Sequence, residues 1–482
     1  MDTITDQLRA NYDALPYTGG ALRLTHPDNL SAVATVSGLS TAPVERCRVL
    51  EIGCGQGRNL IPMAATLPGS RFVGIDLSPR QIEAGRMTVA ALGLTNIELR
   101  AQNLMEFPSD GEPFDFILAH GIYSWVPPEV RDGMLALVAR HLAPQGAAYV
   151  SYNTYPGWHL RRVGRDLMLF HGRRATDPAE RVALARQILA LAAQAPQGYS
   201  NYKDVIDRAN SDLADASDWY LFHDFLERVN HPVYFEQFVQ HAAAHRLMHL
   251  GDARPSLLGW QWLPDPLRDQ VMRFATNDIE REQYLDFLCG RSFRSSLLCR
   301  PEAVRSPGGA AALTNLFVAG AKPQLAERGA VFRRIVAAWP RAVSFAELTK
   351  ESDAGGAGPQ IVQAYLSEVL ELWTRPTDFI ATPTDRPRAA ALARHQAAAG
   401  GAEHVVNLRH ESISSDPLLQ YVLPLLDGTR DRAMLVEEMK RLAASGTLVL
   451  TRDGVPLQPG EDTAAQLDWI LQRFANQSLL AS

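Results

Sequence analysis

The sequence predicts an α/β protein: one doubly wound, mostly parallel sheet, a helical insertion, and a C-terminal α+β region. Two observations carry this. Over residues 45–153, short apolar runs rich in β-branched residues alternate with helix-length stretches, as parallel strands require, because each crossover needs a helix. The first run also ends in a glycine-dense turn, VLEIGCGQGRNL (49–60), where a strand gives way to a helix around space for a ligand.

The elements follow in order. Strands are expected at Arg48–Ile52, Arg71–Ile75, Ile97–Leu99, Phe114–Leu118 and Ala147–Tyr152, with helices at Pro79–Leu92 and Glu129–Ala143. Ser78 before Pro79 supplies an N-cap and a first-turn proline. Beyond Gly157 the strand signals stop, and residues 159–171, 177–195 and 219–229 carry apolar side chains at helical spacing. Residues 232–245 read as a helix opened by proline, 246–252 as a short strand, and 281–300 as a helix followed by a strand. The economical reading is a sheet interrupted after its fifth strand and completed by strands near 247–250 and 292–299, seven in all. The alternative is a separate all-helical domain.

Residues 301–482 change character. Pro301–Ala311 and Arg386–Gly401 read as Ala/Gly/Pro-rich linkers. Residues 326–351 and 360–375, then the strand-like FIATPT (379–384), suggest a winged-helix-like unit of three helices and a strand. A second such unit covers about 416–457, with TRDG (451–454) as a hairpin turn. The organisation expected is a lid segment at 1–44, a ligand-binding core at 45–156, a helical insertion at 157–230, completion of the sheet at 231–300, and a winged-helix-like region at 301–482.

Composition excludes several classes. Hydrophobic residues make up 46% of the 482, which rules out wholesale disorder. Forty-seven Lys and Arg against 53 Asp and Glu leave a net charge of −6, so nucleic acid and acidic membranes are not expected partners. From Glu403 to Ser482 there are seven Lys/Arg against eleven Asp/Glu, which points that region toward protein contacts or a homodimer rather than DNA. Cys47, Cys54, Cys289 and Cys299 form no CxxC pair, so neither a disulfide framework nor structural zinc is expected. The first residues lack a signal-peptide pattern, and no apolar run approaches the ~20 residues of a membrane span. The expectation is a cytoplasmic protein without membrane insertion.

The chemistry concentrates around the glycine turn. Gly53, Gly55 and Gly57 let the backbone turn sharply against a ligand, and Arg58 stands where a dinucleotide fingerprint has its third glycine. The pattern therefore fits a ligand without a pyrophosphate. Asp76 ends the next strand, 25 residues after Glu51, where a carboxylate can accept from both hydroxyls of a ribose. His120, Tyr123, Ser124 and Trp125 follow the fourth strand, on the ligand side of such a sheet. They form either an acceptor pocket steering a cationic amine by cation–π attraction or an aromatic plug. Tyr152, Asn153, Tyr155 and Trp158 follow the fifth strand, with Asn153 either orienting an acceptor or capping the next helix. His241, His245 and His249 recur at four-residue intervals, but a strand beginning near Leu247 would remove His249 from the helix, and no nearby acid completes a site. No metal is expected. Covalent cysteine chemistry is not expected either, because Cys54 alone lies near these motifs.

These motifs resemble class I S-adenosylmethionine-dependent methyltransferases, which implies a Rossmann-like seven-stranded sheet with S-adenosylmethionine as cofactor. The resemblance implies that Glu51, Gly53, Gly55 and Gly57 line the methionine end, that Asp76 holds the ribose and that Leu77 flanks the adenine. Gln102, Asn103 and Leu104 fall where the family contacts the adenine amine, with Asn103 in place of the usual acid. His120 and Gly121 would border the transferring methyl. The N-terminal segment with Tyr12, Tyr17 and His26 would be a lid closed on one side by Tyr17, or else a docked tail. HGIY (120–123) stands where enzymes acting on planar amides or adenine amines carry Asn-Pro-Pro-aromatic, which argues against those substrates.

A narrower resemblance spans nearly the whole chain. HPDNLSAVA (26–34), HGIYSWVP (120–127), YNTYPGWH (152–159), YLFHDFLERVNHPVYFEQF (220–238) and EQYLDFLCGRSFRSSLLCR (282–300) are similar to a bacterial methyltransferase group with a regulatory domain. That group includes rickettsial protein-lysine methyltransferases. It implies a protein lysine as acceptor, with a small-molecule N- or O-methyltransferase and a non-catalytic cofactor-binding regulator as rivals. Methyl transfer to nitrogen needs alignment more than a strong base. His120, Tyr123, Trp125 and Tyr152 are the candidates at the reacting centre, and His120, Tyr152 or water would take the proton.

Overall fold

A single sheet holds β1 (Arg48–Ile52), β2 (Arg71–Asp76), β3 (Ile97–Ala101), β4 (Phe114–Ala119), β5 (Leu142–Asn153), β6 (Met248–Asp252) and β7 (Phe293–Cys299) in the order β3-β2-β1-β4-β5-β7-β6. The computed structural model describes residues 19–195, 200–258, 263–350, 356–399, 403–449 and 462–481, with Leu15 and two short strands at 451–452 and 455–456. β1 to β5 are parallel, and β7 runs antiparallel between β5 and β6. The chain leaves the sheet after β5 and returns for its last two strands, so the insertion reading holds and the separate helical domain does not. The order reverses between β1 and β4, which opens a crevice at their carboxyl ends.

Strand alternation divides the core. Val49, Phe116, Leu118, Tyr149 and Leu297 point to one face, under Leu30 and Val33 of the Pro27–Val36 helix and Leu60 and Met63 of the Leu60–Thr66 helix. Leu50, Ile117, Val150, Tyr152 and Leu298 point to the other, under Met134 and Val138 of the Pro128–His141 helix and Phe238 and Ala242 of the Phe235–Ala244 helix. Arg294 of β7 is wholly buried between these layers. Its guanidinium lies 4.0 Å from the Phe235 ring and donates to both Asp286 carboxylate oxygens at 2.8 Å, clamping the Asp278–Cys289 helix to the sheet.

The insertion folds around its own cluster of Met168, Val182, Leu189, Leu213 and Phe222. Its helices are Gly157–His171, Pro178–Gln194 and Ser200–Ala214, followed by short turns through Leu226. The third was not anticipated: SNYKDVIDRANSDLA is rich in Ser, Asn and Asp, and only a narrow stripe including the buried Ile206 and Leu213 betrays it.

The C-terminal part has two cores. A small sheet pairs Phe317–Ala319 with Glu371–Trp373 and Val343–Ser344. Its Val318 and Leu372, with Phe332 of the Ala330–Ala338 helix and Ile361 of the Ala357–Leu366 helix, join the core on the first face of the main sheet. The strand expected at 379–384 lies instead at Glu371–Trp373, and Phe379 packs edge-on to Trp373 at 5.5 Å. The expected linker at Arg386–Gly401 contains the Ala391–Ala398 helix, which buries Leu392, Ala393 and Ala397. Alanine-rich composition resembles a linker, yet alanine is the strongest helix former. Ala393 and Ala397 join Leu423, Met439, Leu467 and Phe474 in a separate core. Thr451–Arg452 pairs with Val455–Pro456 as the hairpin reading requires, and the turn residues 453–454 lie outside the described residues. Among the described residues no helix is long and apolar enough to cross a membrane.

Candidate functional site

The turn after β1 is built for close approach. Gly53, Gly55 and Gly57 adopt φ of +72°, +53° and +72°, and a Cβ on Gly53 would come within 2.3 Å of Ile122 Cδ1 in the loop after β4. Asp76 at the end of β2 braces this turn: Oδ2 accepts from Gly55 N at 2.9 Å, and Oδ1 accepts from Ser78 N at 2.9 Å.

Glu51 is buried beneath the same turn. Its Oε1 accepts from Asn59 Nδ2 at 2.7 Å, while Oε2 is buried with no hydrogen-bond partner. Burial pushes the carboxyl up to about 7, against the opposing pull of the Asn59 bond, and the Asp76 charge adds to the rise. An ammonium beside Oε2 would satisfy both the orphaned oxygen and the charge. Asn59 itself joins three segments of the chain. Its amide contacts Thr25 Oγ1 at 3.0 Å, and its Oδ1 accepts from Leu22 N at 3.0 Å and pairs with His410 Nε2 at 2.9 Å.

The positions after β2 and β3 are only partly covered. Leu77 is exposed and Leu104 half-buried, and Asn103 uses Oδ1 to cap the next turn, accepting from Met105 N at 3.0 Å. Tyr12 and Tyr17 lie outside the described residues. The Leu15 carbonyl accepts from His223 Nε2 of the helical insertion at 2.6 Å.

The residues after β4 separate onto two faces. His120 Nδ1 pairs with Tyr149 Oη at 3.0 Å and Ser151 Oγ at 3.1 Å, and burial pushes the imidazole down to about 4. It is therefore neutral at pH 7. Gly121 follows with φ +67° and open space where a Cβ would stand. Tyr123 turns to the other face, edge-on to Phe238 at 5.2 Å, its hydroxyl paired with His241 Nδ1 at 2.9 Å. Tyr152 stacks on Phe238 at 4.0 Å and pairs its hydroxyl with Ser296 Oγ at 3.0 Å. Burial pushes the Tyr123 phenol up to about 12 and the Tyr152 phenol higher still. Tyr123 and Tyr152 thus pack against Phe238 as an aromatic plug, with both hydroxyls engaged by protein partners. Trp125 is also buried, edge-on to Trp158 at 6.3 Å.

The open edge lies at the end of β5. Asn153 pairs in register with Phe293, whose exposed ring stands 6.1 Å from His120. Asn153 Nδ2 is buried without a hydrogen-bond partner, and the Gly157–His171 helix has no side-chain N-cap, so the capping alternative is not realised. Tyr155 stacks on His159 at 4.1 Å and lies 5.2 Å from Tyr234, which is 5.6 Å from Phe287. This forms a partly exposed aromatic rim. Elsewhere, His249 sits in β6 and leaves the helical series. The carboxylate not found near the other two histidines is Asp132, whose Oδ1 accepts from His245 Nε2 at 2.8 Å and lies 3.4 Å from His241 Nε2.

Comparisons with known proteins identify the domains of the chain. Residues 49–146 match the family described as a methyltransferase domain, 217–300 a predicted methyltransferase regulatory domain, and 385–479 the C-terminal winged helix domain of PKMT. The protein RP789 of Rickettsia prowazekii is 30% identical over 97% of this chain and 93% of its own length. The chain belongs to this family of S-adenosylmethionine-dependent methyltransferases with a regulatory domain. The methyltransferase also superposes on PKMT2 from Rickettsia typhi in complex with AdoHcy, with a TM-score of 0.85 and 25% identity over 97% of this chain and all of that one. The ubiquinone biosynthesis O-methyltransferase of Bartonella bacilliformis is 31% identical over 27% of the methyltransferase and 51% of its own length. S-adenosylmethionine is the cofactor.

Sequence reasoning missed Asn59, Thr25 and His410. Asn59 carried a weak signal, a polar residue two positions past Gly57. His410 carried none, because its partner is 351 residues away.

Proposed function

We propose that the methyltransferase transfers methyl groups to lysine amines of proteins. The observation that carries this reading is the exposed Phe293 ring 6.1 Å from His120 at the open end of β5, because a ring face attracts a lysine ammonium and its apolar stem; the partly exposed Tyr155, Tyr234 and Phe287 rings form a second aromatic group beyond that strand end. The winged-helix region shared with PKMT supports the same class of acceptor. Bound S-adenosylmethionine supplies a methyl on an electrophilic sulfonium. Glu51 takes the methionine ammonium, Asp76 the ribose diol, and Leu77, Asn103 and Leu104 border the adenine, with Tyr17 as the proposed lid residue. Gly121 leaves room for the reacting groups, and Asn153 Nδ2 donates to the acceptor backbone or cofactor carboxylate to align the pair. Tyr123, Trp125 and Tyr152 wall the site.

The amine must arrive neutral. Desolvation against the Phe293 ring lowers a lysine pKa from ~10.4, and the proton leaves to solvent, since His120 at about 4 is too weak a base to hold it. Four unpaired cysteines favour a cytoplasmic location, which fractionation of host cells checks. The proposed function is tested by labelled-methyl transfer into a host lysate. Label in proteins, recovered as methyl-lysine after hydrolysis, is expected. Label confined to small molecules would replace this reading with a small-molecule methyltransferase, and no label at all with a regulator.

The Glu51 assignment makes its own prediction. Near pH 6 the carboxyl is mostly protonated, and a bound ammonium lowers its pKa, so cofactor binding expels a proton. S-adenosylhomocysteine binding should release roughly 0.5–1 proton at pH 6 and almost none above pH 8.5, with affinity rising between them. Calorimetry in buffers of different ionisation enthalpy reads this, and Glu51→Gln should abolish it. Release that is the same at every pH would remove Glu51 from the ammonium site.

A further inference from the structure

We propose that the C-terminal winged-helix domain completes the cofactor site, with His410 as a positioning residue that orients Glu51 through Asn59. This rests on the reading of Glu51 as the ammonium partner and deepens it. His410 sits in the turn between the paired strands His404–Val406 and Ser412–Ser414, buried, with a left-handed φ of +62°. The turn is shaped by Asn407, whose Oδ1 accepts from Arg409 N and Glu411 N, each at 2.9 Å.

Its neighbours seat it firmly. Arg409 is buried over the Trp339 ring at 4.1 Å and pairs with Glu371. Arg23 donates to the Arg409 carbonyl at 3.1 Å and to Glu371 at 3.1 Å. The tip of the hairpin is thereby clamped onto the N-terminal segment and the start of the helix after the glycine turn.

The consequence is chemical. An amide side chain can point either way, and its neighbours decide. Leu22 N–H and His410 Nε2–H both donate to Asn59 Oδ1, which turns Nδ2 toward Glu51 Oε1. Reversing the amide would set its NH₂ against two donors and its oxygen against a carboxylate. Glu51 Oε1 is thus held by Asn59, leaving Oε2 for the ligand. The hydrogen-bond chain His410–Asn59–Glu51 carries the C-terminal domain into the methionine end of the site.

Calorimetric titration of S-adenosylhomocysteine into the full-length enzyme tests this. His410→Ala should bind roughly 5–20-fold more weakly, and its binding-linked proton release should shift to higher pH as Glu51 loses support. His410→Gln, whose amide nitrogen can replace Nε2–H, should restore affinity to within about threefold. A merely structural His410 would lower the melting temperature of both variants while leaving affinity and proton release as in the wild type, and that result overturns the proposal. If Glu51→Gln and Asp76→Ala also bind normally, the reading of the site has failed. If those two weaken binding and His410→Ala does not, the domain coupling alone has failed. A measurement on the wild type covers variants that do not fold: S-adenosylhomocysteine should slow hydrogen exchange in residues 404–414. Exchange there that ignores the ligand would equally overturn the coupling.

Discussion

Asp76→Ala is expected to weaken S-adenosylhomocysteine binding by at least ~100-fold, the largest loss from any single cofactor contact. In the proposed site its carboxylate accepts from both ribose hydroxyls, and hydrogen bonds to a charged group contribute about 1.5–3 kcal/mol each. At 1.4 kcal/mol per tenfold, two such bonds span a hundredfold or more. The same oxygens hold Gly55 N and Ser78 N, so alanine also loosens the turn that approaches the cofactor. Asp76→Asn should rescue poorly, because one of its two terminal atoms becomes an NH₂ facing a backbone donor. Calorimetry reads both variants, and wild-type affinity in Asp76→Ala would detach the ribose from this residue.

Arg294→Met should cost the fold about 3–5 kcal/mol, the range for removing one partner of a buried ion pair. Arg294 is fully buried, donates to both Asp286 oxygens and reaches Glu282 at 3.1 Å, with Asp252 at 3.9 Å. Methionine fills much of the volume over Phe235 but leaves these acids without a principal cation; Arg291 still pairs with Asp286. Because β7 lies between β5 and β6, the loss should reach the β5 edge where the aromatic rim begins. Native-state hydrogen exchange of Phe293–Cys299 measures it. Unchanged protection would mean that packing alone holds β7. Adding Asp286→Leu should recover part of the loss, since the most costly uncompensated charge is then gone.

Much of this was legible in local pattern. β1 to β4 fell close to their expected spans, because a parallel strand buried on both faces is a continuous apolar run. β5 begins at Leu142 rather than Ala147, and an irregular register between Phe114 and Phe116 admits the extra residues. Hairpins and bulges of that kind leave little trace in composition. The aromatic residues show where proximity in sequence misleads. Tyr152 follows the same strand as Ser151, yet the two point to opposite faces, so Ser151 meets His120 while Tyr152 packs on Phe238. Parity along β5 already contained that distinction, whereas the position of Phe238 did not.

The sequence by itself determined the parts whose physics is local: the glycine turn, the strand-end Asp76, and the alternation that builds the sheet. Each depends on backbone conformation or on neighbours within a few residues, so residue type and spacing carry the information. Tertiary structure alone decided which distant groups meet. Asp132 reaches His245 from 113 residues away, and His410 reaches Asn59 from 351. Such contacts have no period and no motif, because a side chain buried by a remote segment looks in sequence like any other polar residue in a turn. It is the packing of the C-terminal hairpin against the first helices that makes an ordinary histidine a neighbour of Glu51.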